Sequence, residues 1–207
     1  MANDDWIRAR GGLLPVDYPN GSFKKTYYRL TTSAAAGVYL GQPMAADNNG
    51  RVVTLALANS NSVCIGPVVG FLDTNYEALP SGMETTQAGA YLPANTDAYV
   101  AICDDPNQDF VVQEDTSGTA LTASAVFNTA AMTYRASSGD TTTGYSTAEL
   151  KNNSVGTGTG GWLTIKQLHR VMNSDGTANS VGSYAKWIVR INNHQFATLI
   201  SPAGTQI

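Results

Sequence analysis

The stretch that decides the fold runs from Asp97 to Asp115: Asp-Ala-Tyr-Val-Ala-Ile-Cys (97–103), Asp-Asp-Pro-Asn-Gln (104–108) and Asp-Phe-Val-Val-Gln-Glu-Asp (109–115). Two runs rich in β-branched and aromatic residues flank a polar connection that contains proline, which predicts an antiparallel hairpin. In the first run Ala98, Val100 and Ile102 share one face, and Tyr99, Ala101 and Cys103 the other, because side chains alternate along a strand. Phe110 and Val112 continue an apolar face on the return run. The connection, roughly five residues, is too long for a two-residue turn, and Pro106 fits a type I turn within it.

Working outward, the same texture recurs. Phe23–Leu30, Gly37–Gly41, Arg51–Leu57, Ser62–Leu72, Gln87–Leu92, Trp162–Leu168, Tyr184–Ile191 and His194–Ile200 all read as short strands. The clearest is Tyr184–Ile191, where Ala185, Trp187, Val189 and Ile191 alternate with Lys186, Ile188 and Arg190. Turn signals separate the strands, notably Asp47-Asn-Asn-Gly50 and Asn173-Ser-Asp-Gly176. Gly66-Pro67 inside a strand predicts a bulge or an edge position, since proline cannot donate to a ladder. One helix is expected, over Leu121–Met132, with Thr122 as its N-cap. Residues 135–161, dominated by Ser, Thr, Gly and Asn, are either an exposed loop or a set of small-residue strands.

The fold class that follows is all-β, an antiparallel barrel or sandwich with at most one or two short helices. Residues 1–22 read as an extended N-terminal arm, because Gly11-Gly12, Pro15, Pro19 and Asn20-Gly21 interrupt any period. Residues 23–207 form a single β-rich body, long enough to bury a core without staples. Within the arm, Trp6, Ile7, Arg8, Arg10, Leu13 and Leu14 are the candidate anchors for contact with another surface.

Charged residues are only 14% of the chain, against roughly 25% in an average globular protein. The net charge of -4 gives no global reason to expect nucleic-acid binding. Basic residues gather at Arg8, Arg10, Lys24, Lys25 and Arg29, whereas 97–115 carries six acidic groups and no basic one. That asymmetry suits a basic arm docking on an acidic neighbour, including another copy of the chain. Cys64 and Cys103 sit in apolar runs without zinc-ligand spacing, so buried thiols are expected. The start, Met-Ala-Asn-Asp-Asp-Trp, has no apolar signal core, and Ala2 in place of glycine gives no myristoylation. The expectation is synthesis in a cytoplasm and no membrane partner.

Motifs for chemistry are incomplete. Asp105-x-Asn107-x-Asp109 starts like a calcium loop, but Phe110 stands where glycine is needed and Thr116 where a bidentate Glu is needed. Gly156-x-Gly158-x-x-Gly161 has dinucleotide-loop spacing but leads into a strand, not a helix. Gly144-Tyr-Ser146-Thr-Ala148 approaches a nucleophile elbow and ends in alanine. His169 and His194 lack an evident acidic orienter, and Asp104, Asp105 and Asp109 cluster on one polar loop. The expectation is no enzyme activity, no cofactor and no metal.

The 98–115 segment, the Ala/Thr run Leu121-Thr-Ala-Ser-Ala-Val-Phe-Asn-Thr-Ala130, Gly66-Pro-Val-Val-Gly-Phe71 and Trp187-Ile-Val-Arg-Ile-Asn-Asn-His194 together resemble tailed-bacteriophage virion proteins, in particular the capsid decoration (cement) proteins. The resemblance spans roughly residues 37–200 and leaves out the N-terminal arm. It implies a structural protein on the outer surface of a capsid, partnered by the major capsid protein and by itself as a trimer or dimer. The alternative is a tail- or fibre-associated adhesion module, with Tyr134, Tyr145 and Trp162 as aromatic platforms for glycans.

Overall fold

The computed structural model describes residue 3 and residues 11–16, 23–30, 36–57, 63–78, 91–156 and 161–197. Of the expected strands, Ser62–Leu72, Gln87–Leu92 and His194–Ile200 fall partly outside these residues, and Trp6, Ile7, Arg8 and Arg10 among the anchors lie wholly outside them.

The chain is all-β and antiparallel. One five-stranded sheet joins β2 (Thr26–Arg29), β3 (Pro43–Ala46), β4 (Val52–Thr54), β5 (Gly66–Leu72) and β6 (Tyr99–Ile102) in the order β2-β6-β5-β3-β4. Each neighbouring pair is antiparallel, so an odd number of strands leaves β2 and β4 pointing the same way. A parallel bridge between Leu30 and Val52 then brings these two edges together, and the sheet rolls towards a small barrel. Its interior holds Leu30, Met44, Val52, Ile65, Val68, Phe71, Val100 and Ile102.

The second five-stranded sheet contains β1 (Leu14–Pro15), β7 (Asp109–Gln113), β8 (Thr129–Ala130), β11 (Leu163–Leu168) and β12 (Lys186–Ile191), ordered β1-β7-β12-β11-β8. Phe110, Val112, Leu163, Ile165, Trp187, Val189 and Ile191 form its inner face. They pack with Leu55, Cys64 and Cys103, which belong to the barrel side. The alternation expected of 184–191 holds from Trp187 to Ile191, whereas Lys186, expected on the outward face, is fully buried. Two cores result, one inside the barrel and one between barrel and sheet.

The segment 97–115 does not form the expected hairpin. β6 pairs with β2 and β5, whereas β7 pairs with β1 and β12, so the connection passes from one sheet to the other. β7 is buried along its whole length, and each of the two strands already has a neighbour on either side. Gly66 permits the crossing, since a Cβ there would lie 2.0 Å from the carbonyl oxygen of Cys103. Its φ of 148° also disfavours any L side chain. The bulge in this strand lies beyond Gly66-Pro67, where it was expected, as a register shift between Val68 and Gly70, and Pro67 itself pairs with Pro43. The turn itself forms as read, with Gln108 N–H donating to the Asp105 carbonyl across Pro106.

Two further expectations change. Leu121–Met132 holds a single 3-10 turn, Ala123–Ala125, followed by β8 and the start of β9 (Met132–Gly139). Thr122 makes no side-chain cap bond to it. The Ser/Thr/Gly-rich region is a hairpin of small-residue strands, β9 with β10 (Ser146–Leu150), rather than a long loop. This hairpin spans the two layers. Leu40 pairs with Tyr145 at its turn, and Glu114 with Leu150 at its far end.

Candidate functional site

Residues 11–16 belong to the body. Leu13 is fully buried in the core between barrel and sheet, and its N–H donates to Gly41. Leu14 is half-buried opposite Val111, so it adds a short edge strand to β7. Asn3 is also seated on the body, donating to the carbonyls of Ser180 and Ser183 and accepting from Ser180 N–H. Leu13 is thus a core residue and not a surface for a neighbour. Its apolar character was legible, but its burial depends on Gly41 coming within hydrogen-bonding range.

Carboxylates that the sequence left as a polar cluster are dispersed into separate structural roles. Asp105 Oδ1 accepts from Asn107 N–H, which closes its own turn. Asp109 holds Lys166 Nζ at 2.6 Å and Arg190 Nε at 3.0 Å across the outer face of the second sheet. Asp104 Oδ2 accepts from the Tyr28 hydroxyl, and burial together with this carboxylate pushes the Tyr28 pKa up to about 12. The incipient calcium loop is therefore committed to protein partners. Among the described residues, no group of three or more His, Cys, Asp or Glu is placed to hold a metal ion. Cys64 and Cys103 are free, buried thiols, each raised to about 12 by burial.

A second polar cluster was not foreseen. Glu114, fully buried, accepts from Leu121 N–H at 2.7 Å, Asn152 Nδ2 at 3.3 Å and Trp187 Nε1 at 2.9 Å. Asp115 accepts from Asn152 N–H and Ser117 Oγ. Glu149 takes Arg135 at 2.7 Å and Gln113 at 3.1 Å. Burial raises the pKa of both glutamates, and their donors pull them back. Asp115, Ser117, Arg135 and Glu149 line a cleft of about 200 Å³, smaller than the roughly 300–1,000 Å³ typical of ligand sites. Each of its carboxylates is already bonded within the protein. This cluster ties β7, β10 and the 3-10 turn at 152–154 together.

His194 is 1% exposed, and its Nδ1 accepts from Phe196 N–H. Burial lowers its pKa, while Asp104 and Asp105 pull it upward. Neither His194 nor Asp104 lines the cleft. His169 is also held down by burial. Ser146 is buried in β10 and donates to the Ser138 carbonyl, so Gly144–Ala148 is a hairpin turn and strand rather than an elbow. Gly156 pairs with Thr129, and the rest of the glycine loop, 157–160, lies outside the described residues.

The aromatic platforms expected for a glycan site are not where the sequence placed them. Trp162 is 1% exposed, the Tyr134 hydroxyl is buried, and Tyr145 is half-buried in its bridge with Leu40. The outward aromatics lie elsewhere. Phe127 is 86% exposed at a φ of 69°, in the left-handed region that a bulky residue rarely adopts. Its N–H donates to Ile165, and Ile165 N–H donates to Asn128. Leu121 and Ala125 are buried in the core just before it. The ring is therefore held outward by fixed backbone on both sides.

No protein-family model matches the chain, and no curated protein matches it either.

Proposed function

We propose that this chain is a non-enzymatic virion structural protein that works by surface contact, as a decoration protein on the outside of a tailed-phage capsid. Phe127 is the observation that carries the reading. A left-handed phenylalanine costs about 1 kcal/mol or more of backbone strain. Such strain persists where the outward ring itself is useful, and a large exposed aromatic is suited to anchoring a protein contact. The two-layer body with two buried cores supports the reading, since repeated weak contacts add up only when their geometry is fixed. Trp6, Ile7, Arg8 and Arg10 are the further contact residues proposed, with the major capsid protein and symmetry-related copies as partners. Localisation to the capsid surface belongs to the same proposal.

The test is cosedimentation of the purified chain with capsids assembled from the major capsid protein of the phage that carries its gene. The expected result is saturable binding. Phe127→Gly should bind about tenfold or more weakly, while its melting temperature stays level or rises as the strain is released. Failure of the intact chain to bind would refute the assignment. Deletion of the arm should stop before residue 11, because Leu13 belongs to the core. The second reading, a tail- or fibre-associated adhesion module, draws support from the tyrosine-bearing face described next.

A further inference from the structure

Among the described residues the same five-residue hairpin turn is built three times, at Asp47–Arg51, Asp73–Glu77 and Asn173–Thr177. In each, the N–H of the first residue donates to the carbonyl of the fifth, at 2.8, 2.9 and 2.7 Å. In the first two, the leading aspartate also accepts from the N–H groups of the third and fifth residues. The fourth residue is left-handed every time, with φ of 72° at Gly50, 65° at Tyr76 and 81° at Gly176. This is a turn whose last loop position favours glycine. Two copies obey, and the third places a tyrosine there.

Tyr76 is spent on a particular surface. Its ring stacks on Tyr99 at 4.4 Å between centroids and 27° between planes, and the residue is 61% exposed, which leaves its far side open. Strand register shows what surrounds it. Arg29, Tyr99 and Leu72 form one row across β2, β6 and β5, and Tyr27, Ala101 and Gly70 form the next. These residues lie on the barrel's outer face, because Tyr28, Val100 and Phe71 between them point into the core. Tyr27 is 43% exposed, with Lys25 Nζ 5.9 Å from its ring centre. Arg29 and Asp97 form a two-pronged pair at 3.2 and 2.8 Å, and both side chains remain substantially exposed.

We infer that this face is a saccharide-binding surface, with sugar rings laid on Tyr76 and Tyr27 and their hydroxyls held by the Arg29–Asp97 pair. The apolar C–H side of a pyranose matches an open aromatic face. Its hydroxyl rim needs donors and acceptors together, and a guanidinium beside a carboxylate offers both after bonding to each other. Charge selects this ligand over a nucleic acid. Lys25, Arg29 and Arg51, which also acts on Asp97, are balanced by Asp73, Glu77 and Asp97, whereas a phosphate chain calls for unneutralised cations. The inference does not depend on capsid attachment.

The experiment is affinity electrophoresis of the purified chain in gels cast with laminarin, hydroxyethylcellulose, dextran or galactomannan, with heparin and poly(dT) as polyanion controls. Retardation by at least one neutral polysaccharide is expected. Tyr76→Gly should weaken it roughly five- to tenfold with no fall in melting temperature, since the turn regains its favoured residue, and Tyr76→Phe should retain it. The inference is overturned if no neutral polysaccharide retards the chain or if only the polyanions do. Unchanged retardation of Tyr76→Gly would overturn it as well. So would a marked loss of its thermal stability, because Tyr76 would then be a structural prop.

Discussion

At the scale of single residues, the informative groups are the buried ones that can ionise. Three neutral donors hold Glu114, a group that can only accept when ionised. Glu114→Gln turns one oxygen into an amide that faces a donor, and should cost about 1–3 kcal/mol in chemical denaturation. His194 gives a pH signature. Its folded pKa lies below the 6.5 of the free side chain, so as pH falls beneath 6.5 the unfolded chain takes up the proton first. Stability from this source is complete above 6.5 and declines as the medium is acidified. His169 acts in the same direction. Glu114 and Glu149 act in the opposite one, because their raised values favour proton uptake by the folded chain above 4.5. His194→Asn keeps an acceptor for Phe196 N–H and removes the titration. Denaturation midpoints measured across this range should show a shallower acid decline for that variant, and an unchanged profile would remove His194 from the account.

Among the elements, legibility followed the number of faces a strand exposes. Trp187–Ile191 reads correctly because buried and half-buried positions alternate, and only Lys186, fully buried, departs from the pattern. The runs around 99–102 and 109–113 were legible as strands, but their partners were not. β7, buried along its whole length, has no polar face from which pairing can be read, and β6 turns only Tyr99 half out. Pattern alone therefore favoured joining neighbours in sequence, whereas the chain changes sheets at Cys103–Gln108. Gly66 is the hinge of that change. Gly66→Ala should destabilise by about 2 kcal/mol or more, whereas Gly50, with nothing within 4 Å of an added Cβ, should show only the cost of its φ. Comparable midpoint shifts at both positions would argue against the close approach at Cys103. The alanine-rich run after Leu121 suggested a helix by propensity, but the buried Leu121 and Ala125 and the outward Phe127 impose a tighter turn.

For the whole molecule, composition and turn spacing were enough for an all-β body, because alternation and Asn-Gly signals are local properties. The candidate surfaces were not legible in the same way. Phe127 and Tyr76 look like ordinary core aromatics until the backbone places them at positive φ, and Trp162 looks like a platform until two layers enclose it. The central claim is that this chain acts by fixed shape and repeated contact on a capsid exterior. The most direct measurement is single-particle electron microscopy of the tailed-phage virions proposed to carry it, with the chain fitted to the density. The account predicts copies at symmetry-related positions on the outer head surface, with Phe127 against the major capsid protein or a second copy. Density for the chain confined to the tail, or its absence from the particles, would contradict it.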